Sequence, residues 1–449
     1  MDQSAERTFR PMGLKRPHQQ DAARSAALEL LEGVLRGRRP LDDLLDDPKT
    51  AFAKLEGRDR AFAHALVATA LRRKGEAEAM LAPFLQKPLP KSSGAAALIL
   101  LLGTVQLRFL DVPAHAAINQ SVALAHADLK AKHFAGLINA VLRRVASAPP
   151  ADETALKLNT PDWLWKRWIK TYGEATAYLI AKAHLEEAPL DISVKSDAAG
   201  WASRLGGTLL PTDTIRLRNN ATAITELPGF SDGAWWVQDA AAALPARLLG
   251  DVKDKRVVDL CAAPGGKTVQ LAARGAIVTA VDSNAERLKR LEENMARLTL
   301  SCRGIAADMM TWEPDQKFDA ILLDAPCSAT GTIRRHPDLP YVKSGEQIAE
   351  LAKLQAAMLD HASTWLKPRG LLVYCTCSLE PEEGERQIDR FLKRHEEYGR
   401  VPVNPAEIGG QSQFIHENGD LRIHPGMAIG PEKGLDGFFA ARLRNGAVS

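Results

Sequence analysis

The chain is predicted to join an all-α domain to an α/β domain with a mostly parallel sheet. Three observations carry that expectation. Apolar residues recur at helical spacing from Asp21 to about Ala148. From Val237 onward, strand-like apolar runs alternate with amphipathic stretches, the pattern of a parallel sheet with helices on both faces. A glycine-rich turn, VVDLCAAPGGKT (Val257 to Thr268), lies between a strand and a helix start in that second part.

Residues 1–19 are expected to be a disordered basic tail. In 20–148, one amphipathic stretch is marked by Ala26, Leu28, Leu30, Leu31, Val34 and Leu35. Others are Ala61–Leu71, the strongly apolar Ala95–Leu110, Ala116–Ala127 and Phe134–Val145. Pro83, Pro88, Pro90 and Pro113 fall between them, where helices break. Residues 149–159, with Pro149-Pro150, read as a linker. Residues 160–236 give mixed signals, a small α+β region with a helix opened by Pro161. It holds six of the eight tryptophans: Trp163, Trp165, Trp168, Trp201, Trp235 and Trp236. Exposed rings can stack on bases, but core packing is the commoner use. In 237–446 the strands are expected at Val257–Leu260, Ile277–Val281, Gly304–Ala307, Ala320–Leu323 and Leu371–Tyr374. The helices are expected at Val269–Arg274, Ala285–Leu298 and Ile348–Trp365.

Composition narrows the class. A chain of 449 residues with 45% hydrophobic and 25% charged residues is an ordinary globular protein of two or three domains. No apolar run is long enough to span a membrane, and the N-terminus lacks a secretory apolar region. Five cysteines in this length are no disulfide framework. A reduced, cytoplasmic setting with free thiols is expected. Residues 1–160 carry 23 Lys and Arg against 17 Asp and Glu, and the remainder 35 against 38. That mildly basic first part suits a phosphate backbone or is scattered solvated charge.

The chemistry is expected where strands end. Cys327, in ILLDAPCSATG, and Cys377, in LLVYCTCSLEP, each follow a strand at its C-terminal end, where open α/β sheets bind ligands. The turn Cys261-Ala262-Ala263-Pro264-Gly265-Gly266-Lys267 offers close backbone approach and a helix N-terminus. It is not a Walker loop, since Cys261 stands where that motif's first glycine belongs, and G-x-G-x-x-G is absent. Asp259, Asp282, Asp308 and Asp324 mark successive strand ends. Asp282 can accept both hydroxyls of a ribose, and Asp308 can reach an adenine amine. An adenosyl ligand without phosphates fits this set better than a nucleoside triphosphate.

These segments resemble the NOL1/NOP2/Sun family of RNA cytosine-5 methyltransferases over nearly the whole chain. The motifs that carry the resemblance are DLCAAPGGKT, DAPCSATGTIRRHPD, CTCSLEPEE, VQDAAAALPA and GLDGFFAARL. AHAAINQSVALAHADLKAKHFAGLINAVLRR resembles a NusB-like RNA-binding domain. The resemblance implies a Rossmann-like methyltransferase domain, S-adenosyl-L-methionine as cofactor and no metal. It further implies RNA, small-subunit rRNA first, as partner; a monomer is expected. It departs from the family at Ala329, where glycine is usual, and at Ser193-Val194-Lys195, where relatives have Arg-Val-Asn.

The resemblance implies that Cys377 attacks cytosine C6 and that Cys327 assists product release. Attack makes C5 nucleophilic. Asp324 is placed to bond the N3 and N4 edge of the base. Lys267 and Arg334 are cations available to a thiolate or a phosphate. Cys261, Cys302 and Cys375 read as packing residues. The same chemistry on tRNA or another rRNA site, or a non-catalytic RNA-binding assembly factor, remain the alternatives.

Overall fold

The computed structural model describes residues 21–149, 153–218 and 223–446. The expected basic tail, 1–19, lies outside the described residues. The chain divides into two compact units, 1–152 and 153–449.

The first unit is helical: α1 (Ala22–Leu35), α2 (Leu41–Asp46), α3 (Gly57–Arg72), α4 (Lys74–Leu81), α5 (Ala96–Arg108), α6 (Ala114–Ala127) and α7 (Ala135–Ser147). Asp21 starts α1 by accepting from the Arg24 N–H at 3.1 Å. Helix α5 is buried from Leu98 to Gln106, so it has no polar face to show in the sequence. A Cβ on its Gly103 would meet Leu142 at 2.6 Å and Ser121 at 2.9 Å, so glycine lets α6 and α7 close on it. Helices α2 and α4 escaped the sequence reading because six and eight residues are too few to display a period. Pro83 falls between α4 and α5, as expected, inside a 3-10 turn, Ala82–Phe84.

The expected linker 149–159 needs correction. Glu153–Asn159 is a 3-10 helix belonging to the second unit. Next come α8 (Asp162–Tyr172), α9 (Glu174–Ala183), β1 (Leu190–Val194), α10 (Ala198–Leu205), β2 (Thr208–Leu209), β3 (Ile215–Leu217) and β4 (Trp235–Val237). The strands form an antiparallel sheet in the order β2-β3-β1-β4. Trp165, Trp168, Trp235 and Trp236 are buried and Trp163 and Trp201 partly so, which makes core packing their use. Residues 160–236 and 237–446 belong to one compact unit. The buried Arg216 holds Asp191 through two bonds of 2.7 Å, and Asp191 also accepts from the Ala240 N–H.

The main sheet takes its strands from β5 (Arg256–Leu260), β6 (Ile277–Asp282), β7 (Arg303–Ala306), β8 (Phe318–Asp324), β9 (Leu366–Thr376), β10 (Tyr398–Arg400), β11 (Leu421–Ile423) and β14 (Phe438–Asn445). Between the last two, β12 (Ala428–Ile429) and β13 (Glu432–Lys433) form a separate ribbon. The order is β10-β14-β9-β8-β5-β6-β7, with β11 beside β14. β5 to β9 are parallel; β14 runs against them, and β10 and β11, each antiparallel to β14, run in the same direction as β9. The helices are α11 (Leu244–Arg247), α12 (Gly266–Ala273), α13 (Ala285–Arg297), α14 (Leu339–Val342), α15 (Gly345–Ser363) and α16 (Glu385–Arg394).

Register decides what meets at the sheet edge. Leu260 pairs with both Val281 and Leu323, and Asp324 pairs with Cys375. Cys261, Asp282, Asp324 and the segment after Cys375 therefore emerge side by side. The strand order reverses between β5 and β8, so a ligand crevice is expected there. Among the described residues, no helix is long and apolar enough to cross a membrane.

Candidate active site

The glycine-rich turn is built to hold an open backbone. Cys261 takes φ +60° and Gly265 φ +103°. A Cβ on Gly265 would meet Leu291 at 2.5 Å, so the position demands glycine on both counts. Burial first, then Asp324, Asp282 and Asp259, push the Cys261 thiol far up, so its sulfur is inert and its backbone is what matters. Asp282 braces the turn: its carboxylate accepts from the Ala263 N–H at 3.0 Å and the Asn284 N–H at 2.9 Å. A carboxylate offers about four acceptor sites, so two remain for a ligand. Asp308 lies two residues beyond β7, exposed, with one oxygen taken by the Met310 N–H at 2.9 Å.

Asp259 is not a ligand-facing strand-end acid of the kind expected. It is the penultimate residue of β5, buried, and Thr268 donates to its Oδ2 at 2.6 Å. Burial raises its carboxyl to about 7. Its Oδ1 is buried with no hydrogen-bond partner. The N-terminus of α12 after the turn fits the carboxylate of an amino-acid zwitterion, and Asp282 beside the same turn, with acceptor sites left, fits a ribose. The residues present therefore suit S-adenosylmethionine.

The two cysteines meet. Their Sγ atoms are 3.5 Å apart, Cys327 three residues beyond β8 and Cys377 one beyond β9. The Cys327 thiol is raised well above its usual range, first by its hydrogen bond with Cys377 and then by burial. Asp324 ends β8, three residues before Cys327, and accepts from Lys267 Nζ at 2.7 Å and from Cys375 Sγ at 3.4 Å. Cys375 is fully buried, as its packing role requires, yet its thiol also orients Asp324. Burial works against the Lys267 charge, but Asp324, with Cys375 and Asp259, outweighs it and keeps the ammonium firmly charged.

Two expected cations are engaged elsewhere. Lys267 serves Asp324 rather than a thiolate. Arg334 is buried between Asp239 at 3.0 Å and Asp436 at 3.3 Å. Arg335 also pairs with Asp436. That cluster explains why VQDA, RRHPD and GLDG belong together: each supplies one corner of it. At the departing Ser193-Val194-Lys195 element, Ser193 bonds Gln238 at 2.9 Å and Lys195 bonds the Leu298 carbonyl at 2.6 Å. Ala329 keeps the turn after Cys327 at φ +57°, a conformation that favours glycine. The sequence reading missed Glu383, which bonds the serine after each cysteine. The signal was present: the Cys-Ser pair occurs in both motifs.

A Rossmann-like sheet with a glycine-rich turn at its strand ends, here preceded in the chain by a helical domain, is the architecture of an S-adenosylmethionine-dependent methyltransferase. Residues 246–444 match the family described as 16S rRNA methyltransferase RsmB/F, and residues 21–147 the NusB family. The chain is 34% identical to ribosomal RNA small subunit methyltransferase B of Vibrio cholerae, covering 94% of this chain and 96% of that one. It is 36% identical to the protein of that name from Shewanella oneidensis, over 86% and 91%. The crystal structure of PH0851 shares the fold, with a TM-score of 0.72 at 22% identity over 96% and 99% of the two chains. The chain belongs to the RsmB/F methyltransferase family.

Proposed function

We propose that this enzyme methylates C5 of a cytosine in small-subunit rRNA through a covalent adduct between Cys377 and C6. The observation that carries the reading is the pair of sulfurs 3.5 Å apart at the ends of neighbouring strands β8 and β9. The Cys377 thiolate adds to C6, and the C5–C6 double bond becomes an enamine with its nucleophilic carbon at C5. Asp324 meets the N3 and N4 edge of the base and so stabilises that adduct. When bound, S-adenosylmethionine would supply the electrophilic methyl group for C5, its S–CH3 bond breaking to leave the neutral thioether. The C5 proton then leaves toward Cys327, the electron pair re-forms the double bond, and Cys377 is expelled.

Asp282 and Asp308 would hold the adenosine, and the turn Cys261-Ala262-Ala263-Pro264-Gly265-Gly266-Lys267 the methionine end. The target base must be unstacked to enter the crevice. The helical unit, alike to the NusB family, would add RNA affinity. Free thiols require a reducing compartment, so the cytoplasm is the expected location. Bisulfite mapping of total RNA with and without the gene tests the reading. Loss of one small-subunit cytosine signal supports it. An unchanged small-subunit map with a lost tRNA or large-subunit signal overturns the substrate. No change anywhere overturns the chemistry.

A further inference from the structure

The two thiol loops share a buried anchor. Glu383 is fully buried, in a 3-10 turn, Pro381–Glu383, just after the second cysteine motif. Its Oε1 accepts from the Ser328 N–H at 2.9 Å and from Gln355 Nε2 at 3.0 Å. Its Oε2 accepts from the Ser378 hydroxyl at 2.5 Å and from the Ser328 hydroxyl. The two hydroxyls are themselves 3.1 Å apart. Ser328 follows Cys327, and Ser378 follows Cys377, so the serines repeat the spacing of the sulfurs one residue on. The Glu383 carbonyl also accepts from Tyr374 at 2.8 Å and Thr376 at 3.3 Å, which flank Cys375 and precede Cys377. Gln355, from α15, is held in turn against the Pro326 carbonyl at 2.9 Å. Every contact of this carboxylate thus leads to a neighbour of one thiol or the other.

We propose that Glu383 is a positioning residue whose buried carboxylate, through Ser328 and Ser378, sets Cys327 and Cys377 at their working separation. A carboxylate accepting four neutral donors is a rigid hub, because moving either loop leaves a buried group unpaired. The division of labour follows from connectivity. Ser378 fixes the thiol that attacks, and Ser328 fixes the thiol that assists release. The inference rests on the two-thiol reading of the site.

The test separates the two serines. Ser378→Ala, Ser328→Ala and Glu383→Gln are compared with Cys377→Ala and Cys327→Ala, using labelled RNA, S-adenosylmethionine and denaturing electrophoresis. Misplacement of a reacting group by about 1 Å costs on the order of a hundredfold in rate. Ser378→Ala is expected to slow methyl transfer ten- to a hundredfold without accumulating adduct. Ser328→Ala is expected to accumulate adduct, as Cys327→Ala does. Ser378→Thr, which keeps the hydroxyl, is expected to recover most of the rate. Melting temperatures and S-adenosylmethionine affinity are measured on every variant. If both serine variants lose activity alike, in step with stability, the positioning role is overturned. If Glu383→Gln fails to fold, the serine pair still decides. If the cysteine variants themselves show no split, the two-thiol reading fails first.

Discussion

Asp324→Asn tests whether the acid at the end of β8 works on the substrate or merely neutralises Lys267. The pair is 2.7 Å apart, with the Lys267 side chain 11% and the Asp324 side chain 30% exposed. Removing one partner of a buried pair costs about 3–5 kcal/mol, because the other charge is left uncompensated. Water reaching Asp324 weakens the pair, so a loss of about 2–3 kcal/mol is expected here. Adding Lys267→Met removes the orphaned charge. The lysine Nζ lies 4.9 Å from the centre of the Phe438 ring, a surface a thioether also suits. Most of the stability should return in the double variant. Turnover should not: losing one preorganised group at the reacting base costs roughly a hundredfold or more. Urea unfolding gives the first quantity and methyl incorporation under saturating RNA the second. A double variant that regains near wild-type turnover would refute the assignment and leave Asp324 a counter-ion.

Three further outcomes are expected. Asp282→Ala removes the acceptor beside the turn, so S-adenosylmethionine affinity should fall about tenfold or more, read by calorimetry; unchanged affinity would put the ribose elsewhere. Asp259 carries a folded pKa of about 7 against 3.8 unfolded, so its contribution is full below pH 3.8 and is lost as pH rises through 7. Asp259→Asn should accordingly gain stability at pH 8 relative to pH 5, and equal urea-midpoint shifts at both pH values would contradict the burial argument. The fragment 20–148 should melt cooperatively and bind RNA with affinity that falls as salt rises; full-length RNA affinity unchanged by its deletion would assign it a protein partner instead.

Much of the site was legible because strand ends are punctuated. Cys261, Asp282, Asp324 and Cys377 each close an apolar run, and parallel register brings such residues to one edge. What escaped was set by distant partners. β14 reads as FFAARLRN, without the alternation of a half-buried strand, because it lies between β9 and β10 and all but its last two residues are buried. The engagement of Lys267 and Arg334 with carboxylates rather than a thiolate depended on partners 57 and about a hundred residues away. Asp259 looked like its neighbours in sequence, yet it sits one residue earlier in its strand, which turns it inward to Thr268. Glu383 was hidden among the carboxylates of EPEEGE. Only the fold distinguishes it from the more exposed Glu382.

The central claim is that two thiols divide one reaction, and the adducts of the two cysteine variants measure that directly. Each is incubated with labelled RNA and S-adenosylmethionine and run on a denaturing gel. Cys327→Ala should attack and methylate but release slowly, leaving a covalent protein–RNA band. Cys377→Ala and the double variant should leave none, because attack precedes release. A band from Cys377→Ala and none from Cys327→Ala would reverse the roles, and normal turnover in both variants would make the thiols structural.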